Sequence, residues 1–146
     1  MLRDRLTEEM KGAMKARDDI RLSVIRLIRS SVKNREIESR HELADGEIIE
    51  VISTLVKQRR ESIRMFGEAG RTDLVEKEEK ELAVLLTFLP QQLTREEVES
   101  LVAKVVADCG AQGPKDMGKV MKAIMPHVAG RADGSIVSAV VKEKLA

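Results

Sequence analysis

The stretch Phe88-Leu89-Pro90-Gln91-Gln92-Leu93-Thr94-Arg95-Glu96-Glu97 stops one helix and starts another. Upstream of it, Leu82, Leu85, Leu86 and Leu89 recur at the spacing of one helical face. Pro90 closes that run, because its ring crowds the preceding residue out of helical geometry. Downstream, Thr94 and Glu97 stand at capping-box spacing, each side chain able to satisfy the other's backbone amide. Val98, Leu101, Val102, Val105 and Val106 then resume the helical period. The stretch is therefore the expected boundary between an N-terminal helical domain, 1–92, and a smaller helical domain, 93–146.

Towards the N-terminus the same period persists. Leu2, Leu6, Met10, Ala13 and Met14 predict a first amphipathic helix ending near Arg17, and Asp18 or Asp19 is placed to cap the next. That second helix, to about Ser39, buries Ile20, Val24, Leu27, Ile28, Ser31 and Val32. Arg26, Arg29 and Lys33 fall together on another face. Asp45-Gly46 marks a turn and cap, and Ile48 to Phe66 carries a third apolar stripe that Gly67 and Gly70 end. Asp73 with Glu76 reads as a capping box for the fourth helix. The N-terminal part is thus expected to hold four helices.

Towards the C-terminus, Gly110, Gly113 and Pro114 predict a loop. Met117, Val120, Met121, Ile124 and Met125 predict a sixth helix that Pro126 ends or kinks. The methionines repeat every four residues and read as a core stripe. Gly130, Asp133 and Gly134 form a turn, after which Ile136, Val137, Val140, Val141 and Leu145 make a last helix. Its β-branched residues favour strand, yet their 3.6-residue spacing outweighs that preference. The fold class is all-α, four helices followed by three.

Composition agrees. Of 146 residues, 42% are apolar, 35% are charged and 1% are aromatic, these being Phe66 and Phe88. An excess of Glu, Lys, Arg, Leu, Ala and Met with no Trp or Tyr favours helix over sheet. Net charge is +1, which names no partner, but it is unevenly spread. Residues 1–40 hold 11 basic and 7 acidic groups, and residues 113–146 hold 6 and 3; the middle is acidic. Basic ends of this kind are either solvated helix faces or the footprint of a polyanion.

Enzyme signatures are sparse. His41 and His127 have no second His or Cys at metal-ligand spacing. The single cysteine, Cys109, precludes an intrachain disulfide and lies near a helix C-terminus, which does not activate a thiol. No glycine-rich phosphate loop follows a strand. No apolar run is long enough to span a membrane, and residues 1–10 lack the apolar core of a secretory signal. The expected location is the cytoplasm, with no cofactor, metal or membrane partner.

The C-terminal part offers more. Lys115, Lys119 and Lys122 can share a helical face, Arg131 precedes a glycine-bracketed turn, and Lys142 and Lys144 close the last helix. Gly130 and Gly134 allow close approach of the backbone to a ligand. The helix starting after Asp133 either offers free amides to a phosphate or has them capped by Asp133 itself. With two phenylalanines in apolar stripes, bases have nothing to stack on. Any RNA contact would be to backbone and shape.

These residues carry a resemblance. Lys115-Asp116-Met117-Gly118-Lys119-Val120-Met121, then Gly130-Arg131-Ala132-Asp133-Gly134 and Val137-Ser138, is similar to the tail of the GatB/YqeY family. Arg21-Leu22-Ser23-Val24-Ile25-Arg26-Leu27-Ile28, Lys33-Asn34 and Glu36-Ile37-Glu38 resemble the start of YqeY proteins. So do Gly70-Arg71-Thr72-Asp73-Leu74 with Glu78 and Glu81, and Phe88-Leu89-Pro90 with Gln92-Leu93. Phe88 stands where the family often has Tyr. The resemblance implies a helical protein whose last domain is like the tRNA-holding tail of the GatB subunit of tRNA-dependent amidotransferases. The tail also resembles domains appended to some glutaminyl-tRNA synthetases.

The leading expectation is a non-catalytic tRNA-binding accessory protein, with Lys115, Lys119, Lys122, Gly130, Arg131, Gly134 and Lys142 at the RNA and Arg26, Arg29 and Lys33 as a second basic face. The alternatives are a protein-interaction module docking on an aminoacyl-tRNA synthetase or amidotransferase, and a carbon–nitrogen ligase with glutamine as amido donor. The last would need Cys109 as its nucleophile.

Overall fold

The computed structural model describes residues 1–146 as seven α-helices and one 3₁₀ turn, with no strand. The helices are α1 (Leu2–Ala16), α2 (Asp19–Ser39), α3 (Asp45–Glu68), α4 (Thr72–Leu86), α5 (Arg95–Cys109), α6 (Met117–Val128) and α7 (Gly134–Leu145). The 3₁₀ turn is Pro114–Asp116. The chain is all-α, as its periodicity requires. Its helices gather into two compact units, Met1–Leu89 and Pro90–Ala146.

Helix ends follow side-chain chemistry. The Asp18 carboxylate accepts the Arg21 amide at 3.1 Å and starts α2. At α5 the Thr94 hydroxyl accepts the Glu97 amide at 3.2 Å, and the Glu97 carboxylate reaches back to the Thr94 amide at 3.5 Å. Gly110 then ends α5 with φ +64°, a left-handed conformation that glycine takes without a Cβ penalty.

Three further ends differ in part from expectation. α3 continues through Gly67 to Glu68 and stops before Gly70, whose φ is +70°. Gly67 stays helical because an interior glycine costs only about 1 kcal/mol. Asp73 and Glu76 form no capping box: Arg71 precedes α4, and Asp73 sits inside its first turn, paired with the Arg71 guanidinium at 3.2 Å. α6 runs through Pro126 to Val128. Proline removes the bond to the Lys122 carbonyl. Both residues are exposed, so water can take that carbonyl, while burial of Val128 holds the last turn.

The first unit buries one face of each long helix. Val24, Ile25, Ile28 and Val32 of α2 meet Ile48, Val51, Ile52, Leu55 and Val56 of α3, with Leu85 of α4 and Leu6 and Ala13 of α1 closing the core. Ile20, by contrast, is exposed, and so is Met14 of the first stripe. Around this core lie two ionic fastenings. Phe88 is buried with the guanidinium carbons of Arg5 and Arg21 at 5.0 and 5.5 Å from its ring centre, within cation–π range. Glu9 pairs with both arginines, and Arg5 also donates to the Thr87 carbonyl at 2.6 Å. On the α3–α4 side, Arg59 lies 3.2 Å from Glu78 and 3.0 Å from Glu81, all three largely shielded.

Glu36 ties three segments. Its carboxylate accepts the Arg3 guanidinium of α1 at 2.6 Å and the Leu43 amide before α3 at 2.8 Å. The Leu43 hydrogen bond first, then Arg3, lowers its pKa.

The second unit packs α5 against α6 and α7. Val98, Val102 and Val105 meet Val120, Ile124 and Val128, with Val137, Val140, Val141 and Leu145 of α7. The methionines expected as core flank it instead: Met117 and Met121 are half-buried and Met125 is exposed.

Ile28→Ala or Ile124→Ala should cost about 2–5 kcal/mol in chemical denaturation. Thr94→Ala should cost about 1 kcal/mol. Glu36→Gln should lower Tm at about pH 7 and lose that effect towards about pH 3. A carboxylate with a lowered folded pKa stabilises above its ordinary value, and that contribution disappears as pH falls through the lowered one. Thermal melts across pH check it; an equal Tm penalty at both ends would contradict the assignment.

Candidate functional site

The tail residues singled out by sequence divide into two kinds. Lys119 and Lys122, on α6, project from the side opposite the buried Val120, Ile124 and Val128. They stand about 60° apart around the axis, from three steps of 100°. Lys115 is exposed in the preceding 3₁₀ turn, and Lys142 and Lys144 are exposed in the last turn of α7. Lys115, Lys122, Lys142 and Lys144 form no ion pair.

Lys119 and Arg131 are engaged. The Lys119 ammonium donates to the Cys109 carbonyl at 2.9 Å, closing the C-terminal end of α5. Arg131 is half-buried, and its Nε donates to the Gln91 carbonyl at 3.2 Å. Its own carbonyl accepts the Leu93 amide at 2.8 Å. The Gln92 side-chain amide donates to the Gly130 carbonyl at 2.8 Å. The α6–α7 bend is therefore laced to the segment leading into α5. Arg131 also borders a shallow cleft with Glu96 and Glu97, which compete with phosphate for its charge.

The bend is not a bare anion site. Asp133 accepts both the amide and the hydroxyl of Ser135 at 2.9 Å, so its carboxylate caps α7. Gly130 takes φ +72°, while Gly134 is the first residue of α7 and is exposed. The glycines thus serve turn and helix start.

The acidic groups of the tail are used internally. Asp116 accepts the Gln112 amide at 2.9 Å, Asp133 caps α7, and Glu143 pairs with Arg95 at 3.1 Å. The positive groups left over are not neutralised by any neighbour.

The other basic face gains a context that sequence did not supply. Arg26, Arg29 and Lys33 line one groove of about 820 Å³ in the first unit. Its other wall is α1, contributing Leu6, Met10 and Met14. Periodicity had placed these three residues in a core stripe; only Leu6 is buried.

The enzymatic candidates are unassisted. Cys109 is half-buried in the last residue of α5. His41 follows α2 and pairs with Glu47 at 2.9 Å; that hydrogen bond first raises its pKa. His127 is exposed in the last turn of α6. No three or more His, Cys, Asp or Glu side chains cluster to hold a metal, and no helix is long and apolar enough to cross a membrane.

Residues 3–145 match the model of the family described as Yqey-like protein. Curated relatives carry the name Altered inheritance of mitochondria protein 41, mitochondrial. The Kluyveromyces lactis protein is 37% identical over 75% of this chain and 60% of its own length. That of Lachancea thermotolerans is 32% identical over the same shares. That of Pyrenophora tritici-repentis is 30% identical over 95% of this chain and 78% of its own. The chain thus spans about 60% of the length of the first two. Their mitochondrial designation overturns the cytoplasmic expectation. A single cysteine does not distinguish the two compartments. A match along nearly its whole length, with the quoted motifs on the helices and turns just described, means that the chain belongs to the YqeY-like family.

Proposed function

We propose that this chain is a non-catalytic tRNA-binding accessory protein, related to the tail of glutamine-dependent tRNA amidotransferases. The observation that carries this is the charge imbalance of the tail. Lys115, Lys122, Lys142 and Lys144 are exposed and unpaired, while Asp116, Asp133 and Glu143 are each held by a neighbour. Unpaired lysines attract phosphates and release condensed counterions. The resemblance to the GatB tail supports the same reading.

Within it, Lys115, Lys122 and Lys142 contact phosphates directly, and Lys119 adds charge beside them while bracing α5. Arg131 and the Gly130–Gly134 bend hold the tail in shape and present its backbone. No base is stacked, since Phe88 is buried and Phe66 is half-buried in the other unit. Cys109 takes no catalytic part. It is half-buried as the last residue of α5, and neither His41 nor His127 is hydrogen-bonded to it.

Fluorescence anisotropy with bulk tRNA should show binding at about 50 mM salt that weakens steeply by about 200 mM. Lys115→Glu, Lys122→Glu and Lys142→Glu together should weaken it at least about tenfold and flatten its salt dependence. Arg131→Ala should mainly lower the stability of the second unit. Absence of binding at the lower salt, or unchanged affinity of the triple variant, rejects the reading.

A further inference from the structure

The groove in the first unit is built differently from the tail. α1 and α2 pack together with Arg3 near Glu36 and Met10 near Arg29, so they run antiparallel. Leu6, Met10 and Met14 recur along α1 and Val32 faces them from α2, giving an apolar floor. From Arg3 to Met14 the floor extends about 16 Å, roughly three helical turns. Met14 is 52% exposed on it. Arg26, Arg29 and Lys33 stand along the α2 rim at i, i+3 and i+7, all exposed and none in an ion pair. The one carboxylate lining the groove, Glu36, is held by Arg3 and the Leu43 amide. One guanidinium nitrogen of Arg29 rests 2.9 Å from the Met10 sulfur, so the arginine lies across the floor.

We propose that this groove docks an acidic amphipathic helix of a protein partner. Its apolar stripe covers the half-buried Met10 and the exposed Met14, above the buried Leu6 and Val32, and carboxylates spaced at i, i+3 or i+4, and i+7 meet Arg26, Arg29 and Lys33. Charge complementarity selects this occupant: every unpaired charge lining the groove is a cation, and its only acid, Glu36, is paired with Arg3. Methionines suit a helix-binding floor because their unbranched, polarizable side chains adapt to the incoming surface. RNA is disfavoured here, since the floor offers thioethers and alkyl groups, and the groove lining contains no aromatic ring for a base. The proposal concerns the first unit and stands apart from the tRNA reading of the second.

The test uses the whole chain and two synthetic labelled helices of about 18 residues, five turns, each with leucines on one face. One carries glutamates beside the leucine stripe, the other lysines. The glutamate helix should bind at least about tenfold more tightly than the lysine helix. Arg26→Glu, Arg29→Glu and Lys33→Glu together should reverse that preference, and Met14→Glu should weaken binding of the glutamate helix. Arg26→Gln, Arg29→Gln and Lys33→Gln serve if the reversed variant loses helicity by circular dichroism; they should abolish the preference. Equal binding of the two helices, or an unaltered preference in the variants, overturns the proposal. So does loss of bulk-tRNA binding in the rim variants with neither helix bound, which would assign the face to RNA.

Discussion

Removal of aliphatic side chains from water is the constraint on which both units depend. Every fully buried side chain in the protein is apolar, and no charged or polar residue joins them. The cores contain valine, isoleucine and leucine with one buried aromatic ring, Phe88. With such short side chains, helices must approach closely and lose several contacts whenever one methyl group is removed. Ion pairs close the edges of this arrangement. Most are exposed, where such pairs contribute little. Arg59 with Glu78 and Glu81, and Glu9 with Arg21, are the more shielded ones and join separate helices.

The two units put their charge to different uses. In the first, Arg3, Arg5, Arg21 and Arg59 are matched by carboxylates, and three unpaired cations, Arg26, Arg29 and Lys33, stand beside an apolar groove. In the second, α5 carries four carboxylates of its own; beyond it Asp116 and Asp133 accept backbone amides, Glu143 pairs with Arg95, and Lys115, Lys122, Lys142 and Lys144 remain unpaired on the surface. An open surface of lysines suits a phosphate backbone, whereas cations bordering alkyl groups suit an amphipathic helix. Each unit carries its own exposed cations on its own apolar core. Membership of the YqeY-like family covers both units, because the family match runs from residue 3 to residue 145.

Much was written in the sequence by local rules. The helical period of Val24, Ile28 and Val32, and of Val120 and Ile124, marks buried faces because side chains three or four residues apart share one side of a helix. The caps at Asp18 and Thr94 were also legible, since a carboxylate or hydroxyl there reaches only its own first turn. The lysine-rich tail was visible as a run of charge. The fate of each charge was not. Arg131 looked like a free cation and is a brace for Gln91, because the segment from Gln91 to Leu93 returns to the bend. Asp133 had two available roles, and the capping one is taken.

What the sequence determined by itself is the helical class, the principal apolar faces and the residues able to carry positive charge. Each depends on atoms within one or two turns of the chain. Tertiary structure alone decided which cations stay unpaired, that Met10 and Met14 floor a groove with Arg29 at its rim, and that Phe88 lies beneath two arginines. Those outcomes join residues far apart along the chain, and helical period says which side a residue faces without saying what stands opposite.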